Sequence, residues 1–351
     1  MHRHLVHRQR PARRGCDRTG QRQRCRFPDQ PGRTLLTALF VTALFALFTG
    51  YNDAGAVIGL GLRVPGLRPV TALLLLALAV LAAPLAVGTA VAATLSTRLV
   101  SFEGDQAPLM AGIAAAVLVT VVLVTCRLPT SLTLALIGGV SGAGMGAGAS
   151  VDWSLVAGVL AAAAAAPFAG ALTARAVTWL VGVVPAGKGA GERLRRMHVT
   201  AFAATCVAYG ANDGQKLLAV YAAVHAVPAG RAATSIPAQA LLVGCFLAGA
   251  VLGLRRLAAS IGGGLAAADT SAIVVTETSG AAVVLGTALL GAPVSMTQSL
   301  SGAMIGTGLA RGTRRVRWRA VLHLATAWLL TLPVALACGA VAGATAGAVA
   351  S

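Results

Sequence analysis

The sequence predicts an all-α, polytopic membrane protein made of two structural repeats, with broken helices, re-entrant hairpins and roughly 10–12 transmembrane segments at about 20 apolar residues per crossing. Three observations predict it. Of the 351 residues, 57% are apolar and only 11% charged, with a mean hydropathy of +0.80. Soluble domains carry about 25% charged residues, and two lysines with ten acids cannot clothe a soluble surface of this size. From residue 34 onward, apolar segments alternate with short polar or Gly/Pro breaks. Finally, the chain repeats itself: Gly50-Tyr51-Asn52-Asp53 returns as Gly210-Ala211-Asn212-Asp213 at an offset of 160, and Pro129-Thr130-Ser131-Leu132-Thr133 returns as Pro293-Val294-Ser295-Met296-Thr297 at an offset of 164. Downstream, Gly138, Gly142 and Gly144 match Gly302, Gly306 and Gly308.

Taken in order, residues 1–33 hold ten arginines against Asp17 and Asp29 and carry +8 of the net +18. This stretch reads as a disordered basic tail, or as an extension ahead of the true start; the basic run is too long, and Tyr51-Asn52-Asp53 too unlike a cleavage site, for a signal peptide. Repeat 1 spans 34–181, with segments near 34–50, 53–62, 70–95, 108–126 and 153–181. A basic loop at 182–197 follows, with Lys188, Arg193, Arg195 and Arg196. Repeat 2 spans 198–351, with segments near 198–210, 213–227, 236–254, 265–291 and a final helix at 320–347. Two Gly-rich pieces, 130–148 and 294–309, each begin at a proline. Several segments are too short to cross alone, so their irregular backbone must face protein or a cavity. Positive charge in the 182–197 loop and in the five arginines of 311–319 marks the cytoplasmic side. The same placement, flanking apolar runs, argues against nucleic-acid binding.

Paired interruptions in corresponding places of two halves point to a secondary transporter's binding site. Most acids fall in the tail or in loops, but Asp53, Asp213 and Glu277 lie within or at the ends of apolar segments. A carboxylate at bilayer depth costs about 2.5–3.5 kcal/mol on insertion scales, so these three are expected to bind a cation or proton. Pro in a first helical turn leaves unpaired N–H groups facing outward beside the Ser and Thr hydroxyls. Such a helix start carries about half a positive charge and suits an anion. Two of them, related by the repeat, form an oxyanion site. Together they supply only about +1, too little for a divalent anion beside aspartates. Lys216, three residues after Asp213 and on the same helix face, is one further cation, if it is not a private partner of Asp213. Bound sodium or protons supply the rest, and coupled symport follows.

Other signals are weaker. Cys126, Cys206, Cys245 and Cys338 sit singly in apolar segments, and Cys16 and Cys25 lack metal-ligand spacing. His198, His225 and His323 read as isolated residues near interfaces, and Trp153, Trp179 and Trp318 as interfacial anchors. Gly144-Met145-Gly146-Ala147-Gly148 follows no strand and reads as close helix packing rather than a phosphate loop. A nucleophile or metal cluster for an intramembrane enzyme is missing from the motifs.

These residues resemble the PiT family of inorganic phosphate transporters. Tyr209-Gly-Ala-Asn-Asp-Gly-Gln-Lys216 is similar to the family's G-A-N-D signature. Glu277-Thr278, then Pro293-Val-Ser-Met-Thr-Gln298 and Gly306-Thr-Gly-Leu-Ala-Arg-Gly312, resemble its second P-V-S-x-T block, and Trp318 through Pro333 its last helix. The resemblance covers roughly 34–340 and implies inverted repeats, a homodimer and multi-pass placement in the cell membrane. It implies phosphate binding by Ser131, Thr133, Ser295 and Thr297, to which Gln298 and Lys216 are added. It also implies coupling at Asp53 and Asp213, as ligands were the ion sodium, to which Asn52, Asn212 and Glu277 are added. No cofactor is implied beyond the coupling ion, sodium or proton. The first half departs from the pattern: Ala56 stands where the family has a second Asn, Ile113 aligns with Glu277, and the His after P-V-S-x-T is Leu134 in one half and Gln298 in the other. The expectation is cation-coupled uptake of inorganic phosphate by alternating access, with sulfate as the alternative substrate.

Overall fold

The computed structural model describes residues 31–102, 106–126, 128, 130–182, 189–260, 265 and 269–350. Residues 1–30, Pro129 and Lys188, all singled out above, lie outside them, as do the loop acids Glu103 and Asp105. Repeat 1 opens with α1 (Pro31–Thr49), which runs through a π-helical turn (Gly50–Ala54) into α2 (Gly55–Gly61). Then come α3 (Pro69–Val87), a short α4 (Ala90–Ala93) with a second π-helical turn (Thr94–Arg98), α5 (Gln106–Thr125), α6 (Leu132–Gly146) and α7 (Trp153–Gly182). Repeat 2 has α8 (Ala190–Tyr209), a π-helical turn (Gly210–Gly214), α9 (Gln215–Val224), α10 (Ala229–Thr234), α11 (Ile236–Ser260), α12 (Thr270–Leu289), α13 (Met296–Ala310) and α14 (Trp318–Ala350).

Four sequence expectations are corrected. The Asn-Asp motifs do not split their helices: residues flanking both turns keep right-handed helical angles, so 34–50 joins 53–62 and 198–210 joins 213–227. A π-helical turn inserts one residue and loosens the ladder without ending it. The segment expected at 70–95 stops at Val87, where Gly88 adopts φ 96°. The loop expected at 182–197 is helical from Ala190 on. One pair of two-residue strands, β1 (Val100–Ser101) and β2 (Ser150–Val151), pairs antiparallel and clasps the base of the α5–α6 hairpin.

Among the described residues, seven helices are long and apolar enough to cross a membrane. Large apolar side chains such as Leu290, Leu329, Phe168 and Leu172 stand exposed on their outer faces, as a lipid-facing surface requires. Within the bundle, Thr120, Thr276, Thr307 and Thr331 are buried and each donates to the carbonyl four residues back, so their hydroxyls are satisfied without a partner helix. Trp153 and Trp318 begin α7 and α14, at the ends expected of anchors.

The two repeats exchange helices. α14 packs on the α5–α6 hairpin of repeat 1, while α7 packs on the α12–α13 hairpin of repeat 2. Likewise α11 packs on α1 and its π-helical turn, and α3 on α8 and its turn. The repeat-matched glycines make these contacts possible. A Cβ on Gly142 would lie 2.1 Å from the Leu336 carbonyl oxygen, and one on Gly306 2.0 Å from that of Ala171. On Gly50 it would lie 2.0 Å from the Phe246 carbonyl oxygen, and on Gly210 2.1 Å from that of Ala79. Helices in lipid associate by such backbone approach because apolar side chains gain nothing by leaving lipid for one another. Each half is therefore held by the other, and both pairs of motifs are brought to the middle of the bundle.

Candidate functional site

The starts of α6 and α13 meet. Thr133, in the first turn of α6, donates to the carbonyl oxygen of Val294, which lies just before α13, at 3.3 Å. Ser131 caps α6 by accepting from the Leu134 N–H at 3.4 Å. Ser295 occupies the same place before α13, but its side chain makes no cap; its hydroxyl lies 2.8 Å from that of Thr297. The first N–H groups of α13 are thus left with the positive end of the helix and no side-chain acceptor. Gln298 is buried in the same turn, with Oε1 lacking a hydrogen-bond partner.

The π-helical turn of α8–α9 is fastened to this point. Asn212 is fully buried and grips Val294 through both its atoms: Nδ2 donates to the carbonyl at 2.7 Å, and Oδ1 accepts from the N–H at 3.2 Å. Nδ2 also donates to Asp213 Oδ2 at 3.0 Å. Lys216, only 3% exposed, donates to Asp213 Oδ1 at 2.7 Å, Thr133 Oγ1 at 2.6 Å and the Val294 carbonyl at 2.5 Å. An ammonium group has three donors, and here all three are engaged. Lys216 is therefore no private partner of Asp213; it ties repeat 2 to the first turn of α6. Gln215 beside it accepts from the Ala92 N–H and so holds α4.

Asp53 is buried in the other π-helical turn, accepts from Asn52 Nδ2 at 2.8 Å, and lies within electrostatic reach of Asp213 and Lys216. Asn52 is partly exposed and Ala56 exposed, whereas every residue from Cys206 to Gly214, bar Val207, is buried. The polar centre thus gathers Asn52, Asp53, Thr133, Asn212, Asp213 and Lys216, with Ser131, Ser295, Thr297 and Gln298 on the two helix starts.

Glu277 stands apart from that centre. It is fully buried on α12, and its Oε2 lies 2.9 Å from His198 Nδ1 on α8. His198, read in the sequence as an isolated interfacial residue, is fully buried and paired. Its partner is 79 residues away, so no local pattern discloses the pair. The one available signal is register: 15 residues before Asp213 is about four helical turns, which puts a titratable group on a helix already carrying the motif. The role of the Val294 backbone was equally beyond side-chain reading.

The model of a family described as the phosphate transporter family matches residues 49–188 and 184–339. A probable low-affinity inorganic phosphate transporter of Mycobacterium leprae is 32% identical over 321 residues, covering 88% of this chain and 77% of the relative. A protein of the same description from Bacillus subtilis is 23% identical, covering 88% of this chain and 96% of the relative. Among solved structures, one titled the sodium-dependent phosphate transporter superposes with a TM-score of 0.77 at 18% identity, covering 89% of this chain and 98% of that one, which is a likeness of fold. With both halves matched, in the order the repeats stand, the chain belongs to the phosphate transporter family.

Proposed function

We propose that the protein is a multi-pass permease, not an enzyme, which carries inorganic phosphate across the cell membrane by alternating access in symport with a cation. The observation that carries this reading is the three-way bond of Lys216 at the junction of the two helix starts. It sets one fixed cation beside uncapped N–H groups and the hydroxyls of Thr133, Ser295 and Thr297, the donor set an oxyanion needs. Ser131 and Gln298 border it.

Charge decides the coupling. Two helix ends contribute about +1; Lys216 adds one positive charge, and Asp53 and Asp213 one negative charge each. The centre is near neutral before the anion arrives, so divalent phosphate brings an excess of about two negative charges into low dielectric. Cations must arrive with it, at the Asn52–Asp53 and Asn212–Asp213 turns and at Glu277, as sodium or as protons. Phosphate, unlike sulfate, can keep a proton and donate it to a carboxylate. A homodimer, implied by the resemblance, belongs to the same proposal.

The test is radiolabelled phosphate uptake into proteoliposomes, with sodium and proton gradients imposed separately and unlabelled sulfate in excess. Saturable uptake driven by one gradient and unaffected by sulfate is expected. Uptake abolished by sulfate, or insensitive to either gradient, would sink the phosphate symport reading.

A further inference from the structure

Among the described residues, the His198–Glu277 pair shares no side-chain hydrogen bond with the phosphate centre. Both side chains are 1% exposed, and the pair joins α8 to α12. Its two outward atoms, His198 Nε2 and Glu277 Oε1, are buried and lack a hydrogen-bond partner. Each buried polar atom without a partner costs about 1–3 kcal/mol, a cost that a proton arriving at one of them would relieve. Resting on the transport reading above, we propose that His198 and Glu277 form a proton-carrying pair that loads and releases one proton in each cycle, so that the coupled cation is the proton.

The chemistry needs no rearrangement of heavy atoms. With Nδ1–H donating to Oε2, a neutral imidazole faces a carboxylate and the pair carries one negative charge. One proton from water forms a new N–H bond at His198 Nε2 and brings the pair to net zero, as imidazolium with carboxylate. Release to water on the other side breaks that bond and returns the charge. Net zero suits a closed, dry bundle; the charged form suits a hydrated one, where the two orphaned atoms gain partners. Sodium does not suit this place: it is a hard cation that prefers several oxygen ligands, and the pair offers a ring nitrogen and one carboxylate. Among the described residues no group of three His, Cys, Asp or Glu could hold a metal ion.

The elements packed around the pair hold few other titratable groups. Of the elements packed on α8 and α12, α2, α3, α4 and α13 carry no titratable residue within their bounds; α7 carries Arg175, and the π-helical turn Asp213. On α8 itself, Cys206 is buried within the field of Glu277, and Tyr209 lies in that of Asp53 and Asp213. Glu192, Arg193, Arg195 and Arg196 begin α8, with Glu192 bonded to Arg195 and Arg196 at the surface. The Phe202 ring lies beside His198, 6.4 Å between centroids. The pair reaches phosphate through its helices: α8 leads to Asn212 and Asp213, and α12 leads to Val294, which Asn212 grips. Any change in how α8 sits on α12 therefore moves both edges of the phosphate site.

The experiment uses the full chain in proteoliposomes with an entrapped pH dye. Wild type should take up protons with phosphate and, for one proton per cycle, accumulate phosphate about tenfold per pH unit of imposed gradient. The His198→Gln variant, which keeps a hydrogen bond but cannot titrate, should exchange internal for external phosphate yet lose gradient-driven accumulation. Accumulation by His198→Gln equal to wild type overturns the proposal. Sodium-driven uptake by wild type without proton movement overturns it too, while leaving phosphate transport standing. Absence of phosphate exchange in wild type defeats the transport reading itself. Should His198→Gln fail to fold, infrared difference spectra on adding phosphate to wild type and Glu277→Gln decide: an imidazolium band changing in wild type and lost in Glu277→Gln supports the pair, and no such band in wild type overturns it.

Discussion

The two repeats are alike in how they pack and unlike in what they carry. Gly50 and Gly210, and Gly142 and Gly306, make the same close approach to a carbonyl of the exchanged helix. Asp213 answers to Asp53, but three other titratable positions of repeat 2 are apolar in repeat 1: Lys216 answers to Ala56, Glu277 to Ile113 and His198 to Ala38. Asn212 holds Val294 through two bonds, while Asn52 bonds only its own Asp53 among the interactions seen. A symmetric frame thus supports an asymmetric centre. Packing glycines are needed in both halves because each half is closed by the other, whereas one lysine suffices for one anion site.

Breaking the charged side of the comparison should have the largest effect. Lys216→Met leaves Asp213 buried without its cation, and removal of one partner of a buried pair costs about 3–5 kcal/mol. Adding Asp213→Asn should recover most of it. Thermal unfolding of the purified protein in detergent measures both; an unaltered midpoint in the single variant would show that Lys216 is not held as described. The frame comes next. Gly142→Ala and Gly306→Ala should each cost about 1–3 kcal/mol through overpacking, by similar amounts. If one half tolerates alanine and the other does not, the exchange of helices is not equivalent.

The smallest difference sharpens the contrast between the turns. Asn212→Ala removes two buried bonds to Val294 and should cost about 1–3 kcal/mol, whereas the partly exposed Asn52→Ala should cost less than about 1 kcal/mol. The same unfolding measurement ranks them, and equal costs would mean that Asn52 has a second partner of equal weight.

Much of this was legible. The aspartates of the two turns and the hydroxyls beside them could be named because a polar group inside an apolar run is costly and therefore conspicuous. The repeat offset then paired them. Helix continuity was not legible, because Gly-Tyr-Asn-Asp reads as a break, while a π-helical turn differs from one by a single residue of slack. Lys216 was legible as a cation but not as a bridge, since its bonds to Thr133 and Val294 span 83 and 78 residues.

By itself the sequence determined the membrane class, the twofold repetition, the buried acids and the two helix starts at the Ser-x-Thr motifs, because each rests on local composition or spacing. The prolines were expected in the first turns, but Pro293 precedes the Ser295 cap of α13, and Pro129 lies outside the described residues. Only the tertiary structure decided that α7 and α14 change places, that Asn212 and Lys216 close on Val294, and that His198 meets Glu277. The physical reason is the solvent. In lipid a helix apolar on every side has no face that its pattern marks for burial, so neighbours are chosen by backbone approach at glycines and by a few long-range polar bonds, and these exist only once the chain has folded.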